Sequence, residues 1–527
     1  MNSTRVKIAS LQDLDDGQMK TVKVGETEIL LSRVDGKYYA VGAHCTHYGA
    51  DLSEGVLSGE RVLCPWHHAA FSAKTGDLLE PPARDALPCF EVEIEGNDVY
   101  VRLPAKVEAH RIPTMVRENH HNDKRVFVIL GAGAAGNAAA QALRENGFEG
   151  RILMITQENR APYDRPNLSK DYLQGEAEKE WMPLRPQSFY EEYGIHLLMR
   201  KRISQIDISR NQITFEDQST LTYDKLLIAT GGSPKKPIIP GMALKNIFTL
   251  RSYDDAERIV QASKRATQVA IMGASFIGME TAHSLRHRRL QVTVIAPESV
   301  PFERFFGREI GELFLSRHQQ NGIQFKLGHS VERLDGKDRV EAVVLDNGEK
   351  VKTDMVIIGI GIQPATDFIT GLNLEPDGSV RVDEYFRAAE NVYAAGDIAR
   401  FRDWRGGDYW RIEHWRTAEQ QGRIAGANMA GKEQQYRGIP FFWTTQADMH
   451  FRYVGHTRDW DEIIYQGRVA DKNFLAFYVK NNEVVAVAGI NRDREIAAAE
   501  ELMRLQKFPG PDELRDETVD LLSLLQA

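Results

Sequence analysis

The chain has 527 residues and a formal net charge of −9, room for about three or four domains of ordinary size. The acidic balance argues against nucleic acid or an anionic membrane as the main partner. Its three cysteines, Cys45, Cys64 and Cys89, form no Cys-x-x-Cys pair, which excludes a redox-active dithiol and argues against a secreted disulfide framework. The first residues lack the apolar centre of a signal peptide, and no run of about 18 apolar residues occurs, so a cytoplasmic chain with no membrane partner is expected.

Up to residue 104 the sequence reads as short strands broken by turns, as in Glu28–Val34, Tyr38–Val41 and Val99–Leu103, which predicts an all-β domain. Two boxes stand out within it, Cys45-Thr46-His47 and Cys64-Pro65-Trp66-His67, with sixteen residues between them. Each offers one thiolate and one imidazole, and loop residues two or three apart can converge on one metal centre. Soft thiolates suit cluster iron. Zinc also takes two cysteines and two histidines, although Cys-x-His matches its usual two-cysteine half-site poorly. With CTHYGADL, CPWH and TGDLLEPP, the boxes resemble the Rieske family closely. That resemblance implies a [2Fe–2S] cluster on Cys45, His47, Cys64 and His67. Respiratory members carry a second cysteine in each box, joined as a disulfide. Ala50 and Trp66 hold those positions here, which implies the ferredoxin and oxygenase type, at the lower end of a potential range of about −150 to +300 mV. His68, where that family usually has glycine, reads as a surface side chain, with a hydrogen bond near the cluster as the alternative. Cys89 reads as a small core residue.

Residues 105–124 are polar, include His120 and His121, and read as a solvated linker rather than a metal site. A flexible tether of about twenty residues spans on the order of 25 Å root-mean-square and holds its cargo near millimolar effective concentration.

The texture then changes. Arg125–Leu130 is a buried-strand run, followed by GAGAAG, a helical AAQALREN and the strand ILMI. Gly131 suits the tight turn, Gly133 the approach of backbone to a pyrophosphate, and Gly136 close helix–strand packing. Ala134 and Ala135 open the helix, whose N-terminus favours negative charge. Glu158, past the second strand, is placed to accept from ribose hydroxyls. The same grammar recurs in Gln268–Met272, then GASFIG with Gly273, Ser275 and Gly278, then METAHSLRHRR and QVTVI. Ser275 replaces the middle glycine. Ala296 closes the second strand, and Glu298 follows two positions later; reaching the adenosine ribose, it favours NADH over NADPH. Arg286, Arg288 and Arg289 either hold a 2′-phosphate or an acidic partner, or complement the helix dipole. Two such units predict two dinucleotide folds. Beyond about residue 439 the pattern is β-like again, then helical.

Three further segments, APYDRPNLSK, IATGG with Thr230 and Gly231, and NVYAAGDI with Gly396 and Asp397, complete a second likeness. After Lys124 the chain resembles the FAD-dependent pyridine-nucleotide oxidoreductases, in particular the ferredoxin reductases of oxygenase systems and the apoptosis-inducing-factor-like proteins. The resemblance implies that Arg165 and Lys170 lie along the flavin, the lysine near its N5 edge. It puts Asp397 on the ribityl chain and Glu280 beside the nicotinamide, which makes Lys170 and Glu280 the expected catalytic residues. Gly361, in IGIGIQP, fits the return to the FAD domain. As alternatives, Arg165 forms a surface ion pair and Asp397 an N-cap. Trp443, in PFFWTTQ, falls where the family has residues beside the isoalloxazine, or else is core; His414 and Trp415 stand in the same position.

The expected architecture is therefore multidomain. An all-β Rieske domain (1–104) and the linker precede an FAD-binding domain in two parts (125–250 and 365–438). A Rossmann-like NAD-binding domain (251–364) lies between those parts, and an α+β domain (439–527) ends the chain. The expected function is an NAD(P)H-dependent flavoprotein reductase, with NADH preferred, feeding its own Rieske cluster and then an acceptor such as a Rieske oxygenase or a cytochrome. The alternative is an NADH-responsive sensing or interaction protein with little turnover. A homodimer stays open.

Overall fold

The first hundred residues alternate apolar and polar side chains, a period of two that buries one face of each strand. In the computed structural model, which describes residues 3–526, they form two antiparallel sheets. Six strands lie in the order Ser3–Ser10, Asp98–Pro104, Cys89–Glu95, Lys37–Gly42, Thr27–Val34, Met19–Val24. Four shorter ones pair as Val56–Ser58, Arg61–Leu63, Ala70–Ser72 and Leu78–Glu80. Leu30, Val41, Val62 and Phe71 share the core that both sheets cover. The cluster boxes are loops: one follows Lys37–Gly42, the other joins Arg61–Leu63 to Ala70–Ser72. Cys89 is exposed, which corrects the expectation of a core residue. It starts its strand on the outer face, while the next residue, Phe90, turns inward.

Two parallel sheets follow, their strands apolar throughout because helices and loops cover both faces. The first has the order Ile195–Leu198, Arg151–Ile155, Val126–Leu130, Lys225–Ile228, Val392–Ala394, with Arg387–Ala389 antiparallel at its edge. Helix α1 (Ala134–Glu145) crosses from the Val126–Leu130 strand to its neighbour. The second sheet orders Ile247–Thr249, Met355–Ile358, Gln268–Met272, Gln291–Ala296, Gln324–Leu327, with α2 (Phe276–His287) in the equivalent crossover. Because Val392–Ala394 joins the first sheet, the second unit is an insertion into the first. Helix α3 (Trp415–Met429) packs along α1, where Gly422 and Gly426 let the backbones approach: a β-carbon on Gly422 would stand 2.1 Å from the Ala135 carbonyl oxygen. Five antiparallel strands, Phe441–Gln446, Met449–Gly455, Glu483–Ile490, Asn473–Lys480 and Glu462–Arg468, then make a last sheet, with α4 (Asp493–Leu505) against it.

The segment 105–124 forms no regular element, yet it is not a free tether. Arg111 exchanges backbone hydrogen bonds with Ala86 at 2.8 and 2.9 Å, and its guanidinium reaches Asp77 at 2.6 Å. Further on, Val116 N donates to Arg144 O at 3.1 Å and Asn119 N to Glu149 O at 2.7 Å. The strap is thus bonded to the Rieske domain at one end and to the FAD-binding fold at the other.

Candidate functional site: a cluster pocket joined to a nucleotide cavity

The two boxes meet at the tip of the small sheet. Cys45 and Cys64 are both buried, their thiols close enough to perturb each other, and His47 Nδ1 lies 3.2 Å from His67 Nδ1. A sulfur pair beside an imidazole pair is the donor set of a two-iron cluster with unlike ends. Backbone N–H groups of His47 and Tyr48 point at Cys45 Sγ, and those of Trp66 and His67 at Cys64 Sγ. Such amides stabilise thiolate charge and tune the potential of a bound cluster. Burial pushes His47 down to about 3 and His67 well below the ordinary imidazole range, so both are neutral, the form that ligates metal.

A cavity of about 620 Å³ runs between the two parallel sheets and under the last one. Gly131, Gly133, Ala134 and Ala135 line its floor, with Glu158 at one end. Gly131 has φ 107°, and a β-carbon there would stand 2.1 Å from the Ala229 carbonyl oxygen, so only glycine makes this turn. Gly136 is off the cavity; its missing side chain lets α1 pack, since a β-carbon would meet Gly131 O at 1.9 Å. Arg165 and Tyr163 both donate to Glu158, at 3.0 and 2.7 Å. Thr230, Gly231, Gly361, Gly396 and Asp397 line the middle. Asp397 accepts from Arg251 at 2.7 Å and caps no helix; Arg251 carried no motif that the sequence reading could find.

Lys170 and Glu280 meet in this cavity, with Lys170 Nζ 2.9 Å from Glu280 Oε2. Ser169 Oγ donates to the same oxygen at 2.5 Å, and Thr444 Oγ1 to Oε1 at 2.6 Å. A buried carboxylate with three donors is fixed in orientation. Ser275 lines the cavity and also caps α2: its hydroxyl accepts from Gly278 N at 3.2 Å and donates to Gly359 O at 2.7 Å. Its φ of −71° explains why serine serves where the fingerprint has glycine. Gly273 and Gly278 form the turn without lining the cavity, and Glu298 lies outside the lining, on the loop past its strand. Arg286 and Arg288 donate to the carbonyl oxygens of Asn321 and Leu173, which places both guanidiniums in helix packing rather than in the cavity.

The strand Phe441–Gln446 divides the two sites. Its alternation turns Phe441 and Trp443 toward the Rieske domain, and Phe442 and Thr444 toward the nucleotide side. Trp443 lies 4.5 Å from the His67 ring and 6.5 Å from His47, and it also lines the cavity. Phe442 packs on His414, which lines the cavity with Trp415 and is held neutral by burial, pushed down to about 3. Phe441 stacks on His68 at 3.9 Å. His68 is buried, contrary to the surface position expected, and its Nδ1 donates to Glu500 at 2.5 Å. The partner is 432 residues away, beyond the reach of any local pattern.

A thiol–imidazole pocket one aromatic ring away from a cavity shared by two nucleotide folds defines a pyridine-nucleotide-dependent flavoprotein with an electron carrier built in. Residues 125–422 match the family model "Pyridine nucleotide-disulphide oxidoreductase", residues 4–91 the "Rieske [2Fe-2S] domain", and residues 441–525 the "Reductase C-terminal" domain. The chain belongs to the pyridine nucleotide-disulphide oxidoreductase family, without the dithiol of that name. It is 36% identical over 507 residues to "Apoptosis-inducing factor 3" of Homo sapiens, covering 94% of this chain and 83% of that protein. It is 34% identical over 381 residues to the "3-phenylpropionate/cinnamic acid dioxygenase ferredoxin--NAD(+) reductase component" of Photorhabdus laumondii, covering 72% of this chain and 96% of that one. The solved "covalent putidaredoxin reductase-putidaredoxin complex" superposes with a TM-score of 0.72 at 29% identity, over 76% of this chain and 98% of that chain. The protein is an FAD-dependent, NAD-linked oxidoreductase of the ferredoxin reductase type, carrying a Rieske [2Fe–2S] domain. Among the described residues no helix is long and apolar enough to cross a membrane.

Proposed function

We propose that this chain carries electrons from NADH to its own Rieske domain and on, one at a time, to an external acceptor such as an oxygenase or a cytochrome. The observation that carries this reading is Trp443, which touches the His67 ring on one side and lines the nucleotide cavity on the other. When bound, FAD takes an electron pair as hydride from NADH and releases electrons singly to the [2Fe–2S] cluster, chemistry that belongs to the cofactors.

The residues hold and orient. The Gly131 turn and the α1 N-terminus receive the pyrophosphate, and Glu158, braced by Arg165 and Tyr163, receives ribose hydroxyls. Lys170 and Asp397 serve the flavin. Glu280, fixed by Lys170, Ser169 and Thr444, orients the nicotinamide. Cys45, Cys64, His47 and His67 hold the cluster.

Stopped-flow spectroscopy with NADH tests this. Flavin should bleach first and the cluster second, within a turnover. Trp443→Ala should slow the second phase far more than the first. A cluster that stays oxidised while flavin turns over sinks the proposal. The 94% coverage by an apoptosis-inducing-factor relative favours a second reading, in which NADH binding switches assembly. NADH-dependent dimerisation with very slow turnover would select it.

A further inference from the structure

The second cluster box ends on a residue that ligation does not need. His68 is fully buried at φ 58°, the left-handed region where a β-carbon is unfavourable and glycine is at home. Its side chain makes its contacts outside its own domain. Nδ1 donates to Glu500 in α4, and the ring stacks on Phe441. Glu500 accepts Arg416 at 2.8 Å, and Arg416, from the start of α3, also reaches Glu80 at 2.9 Å and Pro81 O at 3.0 Å. Glu80 in turn accepts from Arg61 at 2.8 Å, and Arg61 also donates to Glu501 at 3.2 Å. One buried network therefore joins the Rieske domain, the FAD-binding fold and the C-terminal domain. Arg185 adds a second fastening, to Asp85 at 2.6 Å, and the 105–124 strap a third.

A carrier that left the flavin and returned in every cycle would have to hydrate and desolvate Arg416 and Glu500 each time. Moving carriers suit wet, screened rims; a dry charge network suits a fixed joint. We propose that the Rieske domain is a latched relay, held over Trp443 throughout turnover by the His68–Glu500–Arg416 network, so that no separate ferredoxin reaches the flavin from this side. The inference rests on the electron route proposed above and specifies its partner: the external acceptor meets this chain at the cluster, never at the flavin.

The test uses the holoenzyme in stopped flow, with sucrose as viscogen, and hydrogen exchange of the amides in 78–86 and 105–124. In the wild type, doubling the viscosity should leave the flavin-to-cluster phase unchanged, and these amides should be protected. Glu500→Lys, which sets like charge beside Arg416, should make that phase fall in proportion to viscosity and expose the amides. His68→Gly, which suits the backbone at φ 58°, should keep the cluster spectrum and act in the same direction. It decides the matter if Glu500→Lys loses its cofactors. NADH-driven reduction of a small dye should be unchanged in both. A wild-type phase that slows in proportion to viscosity overturns the latch, as does His68→Gly behaving like wild type. Protected amides with no cluster reduction at all would instead fail the electron route and leave the latch standing.

Discussion

Arg416→Met measures how much the buried network holds. The Arg416 side chain is fully buried and bonds Glu80, Glu500 and Pro81 O. Methionine fills similar length without charge. Breaking one side of a buried ion pair costs about 3–5 kcal/mol, because the remaining charge is stranded. Glu80 is 20% exposed and keeps Arg61 and Gln420, so the loss falls on Glu500, 3% exposed, and the lower end, about 3 kcal/mol, applies. At 1.4 kcal/mol per tenfold, the docked state loses roughly 100-fold. Urea titrations read by cluster absorbance and by flavin fluorescence give the assay; the cluster midpoint should fall and the flavin midpoint should move far less. The pH dependence has a definite sign. Burial favours protonation of Glu500, but Arg416, and then His68, hold it below the usual carboxylate range in the wild type. Its contribution is thus present above the ordinary glutamate value and lost as pH falls through the lower native one. In Arg416→Met burial wins, so the deficit is greatest at neutral pH and shrinks toward the ordinary carboxylate range of about 4–5. Arg416→Met/Glu500→Leu should recover most of the stability. A change below about 1 kcal/mol, the value of an exposed pair, or a deficit that grows on acidification, refutes the reasoning.

Other perturbations separate the modules. His47→Ala should abolish the cluster signal and one-electron acceptor activity while FAD content and two-electron dye reduction survive; equal loss of both would contradict separate sites. Gly131→Ala drives a methyl into Ala229 O at a backbone angle suited to glycine, so purified protein should lack most of its flavin, read from the absorbance ratio at saturating FAD. Arg288→Ala removes a packing contact and should lower the melting temperature without changing the ratio of kcat/KM for NADH and NADPH; a shifted ratio would return Arg288 to nucleotide recognition.

What the sequence made legible was local. Cluster ligands two and three residues apart, and glycines that open a helix after a strand, are written in one stretch of chain, and their placement follows from the turn. What stayed hidden depends on distant partners. His68 reads as surface because Glu500 and Phe441 come from the far end of the chain. The 105–124 segment reads as a solvated tether because it is polar, yet backbone hydrogen bonds and Arg111 fasten it without an apolar face. Trp443 reads in the sequence as either core or cofactor contact, and the two options are not exclusive: one ring borders both the cavity and the cluster pocket. Cys89 reads as core in the sequence and stands exposed in the fold because one strand position decides whether a small apolar residue faces in or out.

The dividing strand Phe441–Gln446 sets a rule for how this chain can change over time. Its faces are assigned by parity: Phe441 and Trp443 face the cluster pocket, Phe442 and Thr444 the nucleotide side. Substitution at Phe441, Phe442 or Thr444 disturbs only one site, whereas substitution at Trp443, which borders both, disturbs the two together. Gain or loss of a single residue would exchange the faces, sending Trp443 toward Glu280 and Thr444 toward His67. Length here is less negotiable than composition, so descendants of this chain should vary in the letters of this strand, Trp443 and Thr444 apart, long before they vary in their number.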